Sequence, residues 1–261
     1  MIFYFTGTGN SFYVAKKIQE KEGGELINMV EALNKKDFNV KLEKGEKIGI
    51  IFPVYFWGPP NIVEEFLSQL EIEKDGEDPF IYTVITCGST VGNADKIISN
   101  LLKPKDLQLS SGYTLKMPSN YVMMYDMPSK EKAISSIEIA DKEIEKIIED
   151  LKTNKKGDFI KDRGIAPILT PILYKIYGIY RKTKNFKVNE NCTACGQCEK
   201  LCTSKVIRLN NGKPEWTYDK CSHCTACING CPSIAIEYGK STIKRKRYVN
   251  PYVNLIDEIL D

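Results

Sequence analysis

Eight of the nine cysteines fall into two copies of one spacing. Cys192-x-x-Cys195-x-x-Cys198-x-x-x-Cys202 is followed by Cys221-x-x-Cys224-x-x-Cys227-x-x-x-Cys231-Pro232. A four-iron cluster needs four thiolates around a cube, and x-x spacings let one tight loop present three of them. Two other chemistries use cysteine pairs. A zinc ribbon takes four cysteines, which leaves the third and fourth of each run unexplained. A disulfide framework suits a small secreted chain, and this one opens at Met1 without the pattern of a signal peptide. Iron–sulfur ligation is the reading that uses all eight.

The double run resembles the ligand run of bacterial two-cluster ferredoxins. The resemblance implies two [4Fe-4S] clusters, with the fourth cysteine of each run heading a short helix and crossing to the other cluster. One cluster would take Cys192, Cys195, Cys198 and Cys231, the other Cys221, Cys224, Cys227 and Cys202. One position departs from the pattern. Thr203 follows the fourth cysteine of the first run, where ferredoxins usually carry the proline kept here as Pro232. Proline at a helix start fixes φ and gives up no useful donor. Thr203 is therefore expected to loosen the loop or change the hydrogen bonding to sulfur without abolishing ligation.

A length of 261 residues is too great for a ferredoxin alone and sufficient for a core domain with a small satellite. The apolar and charged fractions, 42% and 27%, are those of an ordinary soluble globular chain. No apolar run approaches the twenty or so residues of a membrane span. A net charge of +3 is too small to imply nucleic acid, and thiolate-bound clusters would lower it. A reducing cytosol is the expected compartment, because exposed cluster cysteines oxidise elsewhere. His223 is the single histidine, so histidine acid–base chemistry has almost no material. Between two candidate ligands, it reads as a surface or cluster-shielding residue.

Residues 2–5 form a short apolar run that reads as a buried parallel strand. Thr6, Gly7, Thr8, Gly9, Asn10 and Ser11 follow, then a helical pattern from Phe12 to Ile18. A strand, a hydroxyl- and glycine-rich loop and a helix make a phosphate cradle, because backbone N–H groups and the helix N-terminus attract an anion. Thr6, Thr8 and Ser11 add hydroxyl donors. The loop lacks the lysine of a nucleotide-triphosphate loop. Phe12 stands where a dinucleotide fingerprint needs its third glycine. A single phosphate monoester remains.

Two further strands, 48–52 and 80–85, run into Pro53, Val54, Tyr55, Phe56, Trp57 and Gly58 and into Thr86, Cys87, Gly88 and Ser89. Helical patterns occupy 60–70, 93–102 and 129–152, and weaker strands are expected near 25–28 and within 107–116. This alternation predicts an α/β doubly wound parallel sheet whose ligands bind beyond the carboxyl ends of the strands.

The loop at residues 6–11 closely resembles the FMN-phosphate loop of flavodoxins. With the dicluster tail, the whole chain is similar to the flavodoxin–ferredoxin fusions called the EFR1 family. The resemblance extends to Pro53-Val54-Tyr55, Met117-Pro118-Ser119-Asn120-Tyr121, residues 211–216 and Arg247-Tyr248. It implies a flavodoxin-like FMN-binding domain at 1–155, a helical linker at 156–186 and a small α+β two-[4Fe-4S] domain at 187–261. By resemblance, residues 6–11 hold the phosphate and residues 54–58 border the isoalloxazine, with Tyr55, Phe56 or Trp57 stacking on it. Residues 86–89 edge its pyrimidine. Tyr55 and Phe56 have a plainer role open to them as caps on the core. Cys87 is expected to contribute backbone rather than redox chemistry. Asn120 and Tyr121 either cover the flavin or turn the chain.

Residues 163–186 carry apolar side chains at helical spacing, with Pro167 and Pro171 expected to make the first turns irregular. An interdomain helix packing its apolar face on both halves is favoured over a membrane-surface helix. The basic run at 244–247 reads as a solvated surface strand or a dock for an acidic partner. No nucleophile or acid–base pair is evident. The favoured expectation is an electron carrier between FMN and two clusters that serves external redox proteins. The alternatives are an FMN-dependent reductase of a small molecule fed by the clusters, and a redox-sensing scaffold.

Overall fold

The computed structural model describes residues 1–74, 76, 78–161, 163 and 165–258. In chain order the first half contains β1 (Ile2–Tyr4), α1 (Asn10–Glu22), β2 (Leu26–Asn28), α2 (Met29–Lys35), β3 (Asn39–Lys41), β4 (Lys47–Pro53), α3 (Asn61–Gln69), β5 (Glu71–Glu73), β6 (Phe80–Cys87), α4 (Ala94–Leu102), β7 (Leu109–Lys116) and α5 (Lys130–Lys152). Then come β8 (Gly157–Phe159), α6 (Ala166–Tyr180), β9 (Phe186–Val188), α7 (Gln197–Lys200), β10 (Ile207–Asn210), β11 (Lys213–Trp216), α8 (Ala226–Asn229) and β12 (Ile236–Tyr238).

Six strands form one parallel sheet in the order β2-β1-β4-β6-β7-β8. The central strands β1, β4 and β6 read as largely apolar runs because both faces are covered. Phe3, Phe5, Ile48, Ile50, Phe52, Ile81 and Ile85 point to one side and pack under α2, α3 and α4. Ile2, Tyr4, Ile51, Tyr82, Val84, Tyr113 and Leu115 point to the other, under α1 and α5. Each large side chain fully buried in this way contributes about 1.5–3 kcal/mol. Strand order reverses between β1 and β4, so a crevice opens beyond their carboxyl ends, where an open α/β sheet holds its ligand.

Gly49 on β4 is set by this packing. A Cβ there would lie 2.5 Å from the hydroxyl of Tyr82, itself buried on the neighbouring strand. Gly49→Ala should destabilise the fold by about 1–3 kcal/mol, read as a lowered urea midpoint. An unchanged midpoint would mean that Tyr82 swings clear.

Two elements lie outside the expected pattern. The short parallel pair β3–β5 flanks the main sheet as a separate unit. Strand β8 joins β7 in register at Ser111, Gly112 and Tyr113, so the sheet continues past residue 155. Helix α6 runs unbroken through Pro171, although a proline nitrogen cannot bond to the carbonyl four residues back. That carbonyl, on Pro167, accepts a hydrogen bond from the Asn93 side chain instead (2.8 Å).

Helix α6 does bridge the halves, yet not with its aliphatic side. Its inner face is Ala166, Thr170, Tyr174 and Tyr177. The Tyr177 hydroxyl reaches both Asn61 (3.1 Å) and the carbonyl of Ser222 (3.0 Å). Ile165, Ile168 and Ile172 face outward, 72%, 79% and 62% exposed. Among the described residues no helix is long and apolar enough to cross a membrane.

The cysteine-rich half is built on two antiparallel pairs, β9–β12 and β10–β11. Phe186 stacks on Trp216 at 4.7 Å and meets Tyr238 edge-on at 5.0 Å. After β12 the chain returns to the first half. Val253 and Leu255 join the core beneath α1, and Lys16 pairs with Glu258.

Candidate functional site

A cavity of about 550 Å³ opens at the carboxyl ends of β4 and β6, within the range of small-molecule and cofactor sites. Pro53, Val54, Tyr55, Phe56 and Trp57 line one wall, and Thr86, Cys87, Gly88 and Ser89 another. Residues 117–121 with Met124 and Tyr125 form a third. Leu173 and Tyr177 of α6 and His223 of the cysteine-rich half complete it. Sequence reasoning did not anticipate His223 or α6 here, because no local pattern reveals a contact made across the two halves.

The wall at residues 55–58 is a tight turn. Tyr55 and Gly58 exchange both backbone hydrogen bonds (2.8 and 3.0 Å), with Phe56 at φ 48° and Trp57 at φ 66° between them. Left-handed geometry at two bulky residues is costly and concentrates at functional sites. The turn is held from outside. Trp57 Nε1 donates to Thr90 Oγ1 (2.8 Å), and the Trp57 carbonyl accepts from the Asn93 amide (3.1 Å). Gly58 stays off the cavity lining and makes room for the ring of Tyr174.

Phe56 stacks on Tyr177 at 5.5 Å and meets Tyr121 edge-on at 5.9 Å. Tyr55 meets Phe5 and Tyr177 edge-on. Burial pushes the Tyr55 phenol well above its ordinary pKa. Its hydroxyl is enclosed and has no hydrogen-bond partner among the described residues. A buried donor without an acceptor is costly, and this one lies beside Gly7, where the Cys224 carbonyl and Cβ also abut.

Of the loop at residues 6–11, Asn10 alone borders the cavity. Thr6 and Gly7 border a smaller void of about 30 Å³ shared with Cys202 and Thr203. The loop is buried throughout and internally braced. Gly9 N–H donates to Thr6 Oγ1 (3.0 Å), Asn120 Nδ2 to Thr8 Oγ1 (2.7 Å), and the Ser11 and Thr86 hydroxyls bond to each other (2.8 Å). Gly9 takes the left-handed φ of 93° that starts α1, with no side-chain cap. Among the described residues no N-cap side chain takes up the first-turn N–H groups of that helix, the kind of groups an anion would meet.

Cys192, Cys195, Cys198 and Cys231 surround one small void. Cys202, Cys221, Cys224 and Cys227 form a second group, close enough that charge on any of the first three is felt at Cys227. Burial pushes the Cys198 thiol up to about 11 and the Cys221 thiol up to about 12. Thiols so placed give up protons only to a strongly binding metal centre. Among the described residues no three metal-binding side chains close around a single ion, and Cys192, Cys195, Cys198 and Cys231 are instead disposed around a void. Thr203, the departure at the end of the first run, points its hydroxyl at Cys224 Sγ (3.1 Å). The Val206 and His223 amides donate to Cys202 Sγ (3.3 Å) and Cys221 Sγ (3.4 Å). Burial lowers the pKa of the His223 imidazole, and its Nε2 meets the Lys182 carbonyl at 3.1 Å.

The second group of cysteines lies against the first half. The Cys224 carbonyl and Cβ abut Gly7 beside the Tyr55 hydroxyl. Asn120 joins the halves, with its carbonyl accepting from Thr225 Oγ1 (3.1 Å) and Asn229 Nδ2 (3.0 Å) while its amide holds Thr8. Cys195 is exposed, on the group away from the cavity.

A model of the flavodoxin domain matches residues 1–112, and a model of the 4Fe-4S dicluster domain matches residues 191–236. The chain is 41% identical over 46 residues to a component of the ion-translocating oxidoreductase complex of Methanosarcina acetivorans, covering 18% of this chain and 17% of that protein. It is 35% identical over 60 residues to the pyruvate synthase subunit PorD of Methanocaldococcus jannaschii, covering 23% of this chain and 70% of that protein. The solved structure of a Trp repressor binding protein from Bacillus subtilis is 10% identical, with a TM-score of 0.31 over 52% of this chain and 94% of its own. The flavodoxin match brings FMN and the dicluster match two [4Fe-4S] clusters, and the cavity and the two cysteine groups suit them. The chain is a flavodoxin domain joined to a dicluster ferredoxin domain, and through the latter it belongs to the 4Fe-4S dicluster family.

Proposed function

We propose that this protein is an electron-transfer flavoprotein of the EFR1 type, passing electrons between FMN and two [4Fe-4S] clusters and on to external redox proteins. Bound FMN takes up electrons in pairs or singly, and the clusters pass them one at a time. The observation that carries the reading is the position of residues 223–224. His223 lines the cavity while its neighbour Cys224 abuts the loop at residues 6–11. Cys202, Cys221, Cys224 and Cys227 would then hold the cluster next to the flavin. Cys192, Cys195, Cys198 and Cys231 would hold the outer one, with the exposed Cys195 marking where a partner docks.

Thr6, Thr8, Asn10, Ser11 and the first turn of α1 would take the phosphate. Pro53, Val54 and the edge formed by Thr86, Cys87, Gly88 and Ser89 would border the ring. Trp57 is the aromatic best placed to stack on it, since Phe56 and Tyr55 are already engaged by Tyr177, Tyr121 and Phe5. Both curated relatives are by name parts of redox assemblies, which favours protein partners, and a reducing cytoplasm suits such clusters. The roominess of the cavity favours, as a second reading, reduction of a small molecule at the flavin.

Anaerobic reconstitution should give one FMN and about eight irons and eight sulfides per chain. Chemical reduction of the flavin should then bleach the cluster absorption. Clusters without FMN, or flavin that leaves the clusters oxidised, would sink the proposal. Turnover of a small oxidant faster than transfer to a ferredoxin would favour the second reading.

A further inference from the structure

The phosphate loop is closed by the other end of the chain. Asn10 opens α1, and its side-chain oxygen accepts from the Tyr248 hydroxyl (2.7 Å) and from Asn250 Nδ2 (3.2 Å). Its amide nitrogen donates to the Pro118 carbonyl (2.9 Å). The backbone N–H of Asn250 donates to the Thr8 carbonyl (2.8 Å). The peptide between Thr8 and Gly9 is therefore pinned at both ends, its oxygen by Asn250 and its N–H by Thr6. Any Cβ on Gly9 would meet Asn250 at 3.0 Å and Val253 at 3.2 Å, so the segment lies directly on the loop. The segment is in turn fixed to the cluster domain, where the Tyr248 amide donates to Asn229 Oδ1 (3.1 Å) and Arg247 pairs with Glu237 (2.8 Å).

We infer that residues 248–253 are part of the flavin site: Tyr248 and Asn250 hold the phosphate loop in its anion-accepting form, so that FMN retention depends on docking of the cluster domain. The physical reason is preorganisation. An anion at the N-terminus of α1 is favoured by N–H groups and disfavoured by any carbonyl turned inward. With the Thr8 carbonyl held by Asn250, and Asn10 locked by three hydrogen bonds, the loop need not be ordered at the moment of binding. Linkage is reciprocal, so the phosphate end of the ligand stabilises the docked halves as much as they stabilise it. Tyr248 and Asn250 are positioning residues here, acting through Asn10 and Thr8. The inference rests on the flavin reading above.

The test uses the cluster-loaded chain stripped of flavin and titrated with FMN and with riboflavin, which shares the ring and lacks the phosphate. Tyr248→Phe should weaken FMN about tenfold and leave riboflavin unchanged. Asn250→Ala, which keeps the backbone bond to Thr8 and removes only the side-chain bond to Asn10, should weaken FMN less and also spare riboflavin. Ile243→Ala, at an exposed position upstream, should alter neither. Iron content and the urea unfolding midpoint should stay at the wild-type values, which shows that both halves of the variants fold. Equal weakening of both ligands, or no weakening of FMN, would overturn the inference and leave wild-type FMN binding standing. A wild-type chain that takes up neither ligand would overturn the flavin reading and this inference with it.

Discussion

A Gly7→Val chain is expected to keep its iron and lose most of the electron traffic between flavin and clusters. A Cβ at Gly7 would run into the Cys224 carbonyl oxygen and lie 3.2 Å from both Cys224 Cβ and the Tyr55 hydroxyl. The carbonyl is backbone and cannot rotate away, so the two halves must part or the loop must buckle. Overpacking of this kind costs about 1–3 kcal/mol, and every 1.4 kcal/mol removes roughly a factor of ten from the docked population. Flavin binding should weaken as well, because the same docking brings Tyr248 and Asn250 to Asn10. The measurement is stopped-flow bleaching of the clusters after flavin reduction, at saturating FMN. A wild-type rate would show that Cys224 does not carry the contact.

The second large effect separates the two cysteine groups. Cys224→Ala and Cys195→Ala should each cost about four of the eight irons, since one ligand of a four-iron cluster is lost in either case. Their consequences should then diverge. Cys224 packs between the cores on both sides of the sheet, so its loss should leave the remaining cluster oxidised when the flavin is reduced. Cys195 is exposed and stands away from the cavity. Its loss should spare reduction of the inner cluster and abolish transfer to an external acceptor. The same behaviour from both variants would overturn the assigned order.

The parallel strands and the flavodoxin-like sheet were legible because both faces of the sheet are covered, which makes Phe3, Ile50 and Val84 parts of largely apolar runs. The cysteine spacing was legible because cluster geometry dictates it locally. What could not be read was chemistry assembled across distance. Tyr248 and Asn250 sit in a segment without periodicity, and their partner Asn10 lies 238 and 240 positions away. Strand β8 is three residues long, too short to stand out. In α6 the apolar spacing was visible, yet spacing does not say which face is covered. The inner face uses tyrosine hydroxyls and small residues, and Ile165, Ile168 and Ile172 remain outside.

Thr203 makes two runs of identical spacing unequal. At the end of the first run a hydroxyl reaches Cys224 Sγ, and at the same place in the second run Pro232 has no hydroxyl to offer. A hydrogen bond to a ligating sulfur favours the more negative, reduced form of the centre it serves and raises its potential. On the proposed reading Thr203 would act in this way on the centre beside the cavity, while the outer group meets a different hydroxyl, that of Ser233, 3.6 Å from Cys231 Sγ. A duplicated ligand pattern thereby carries a different hydroxyl contact in each copy.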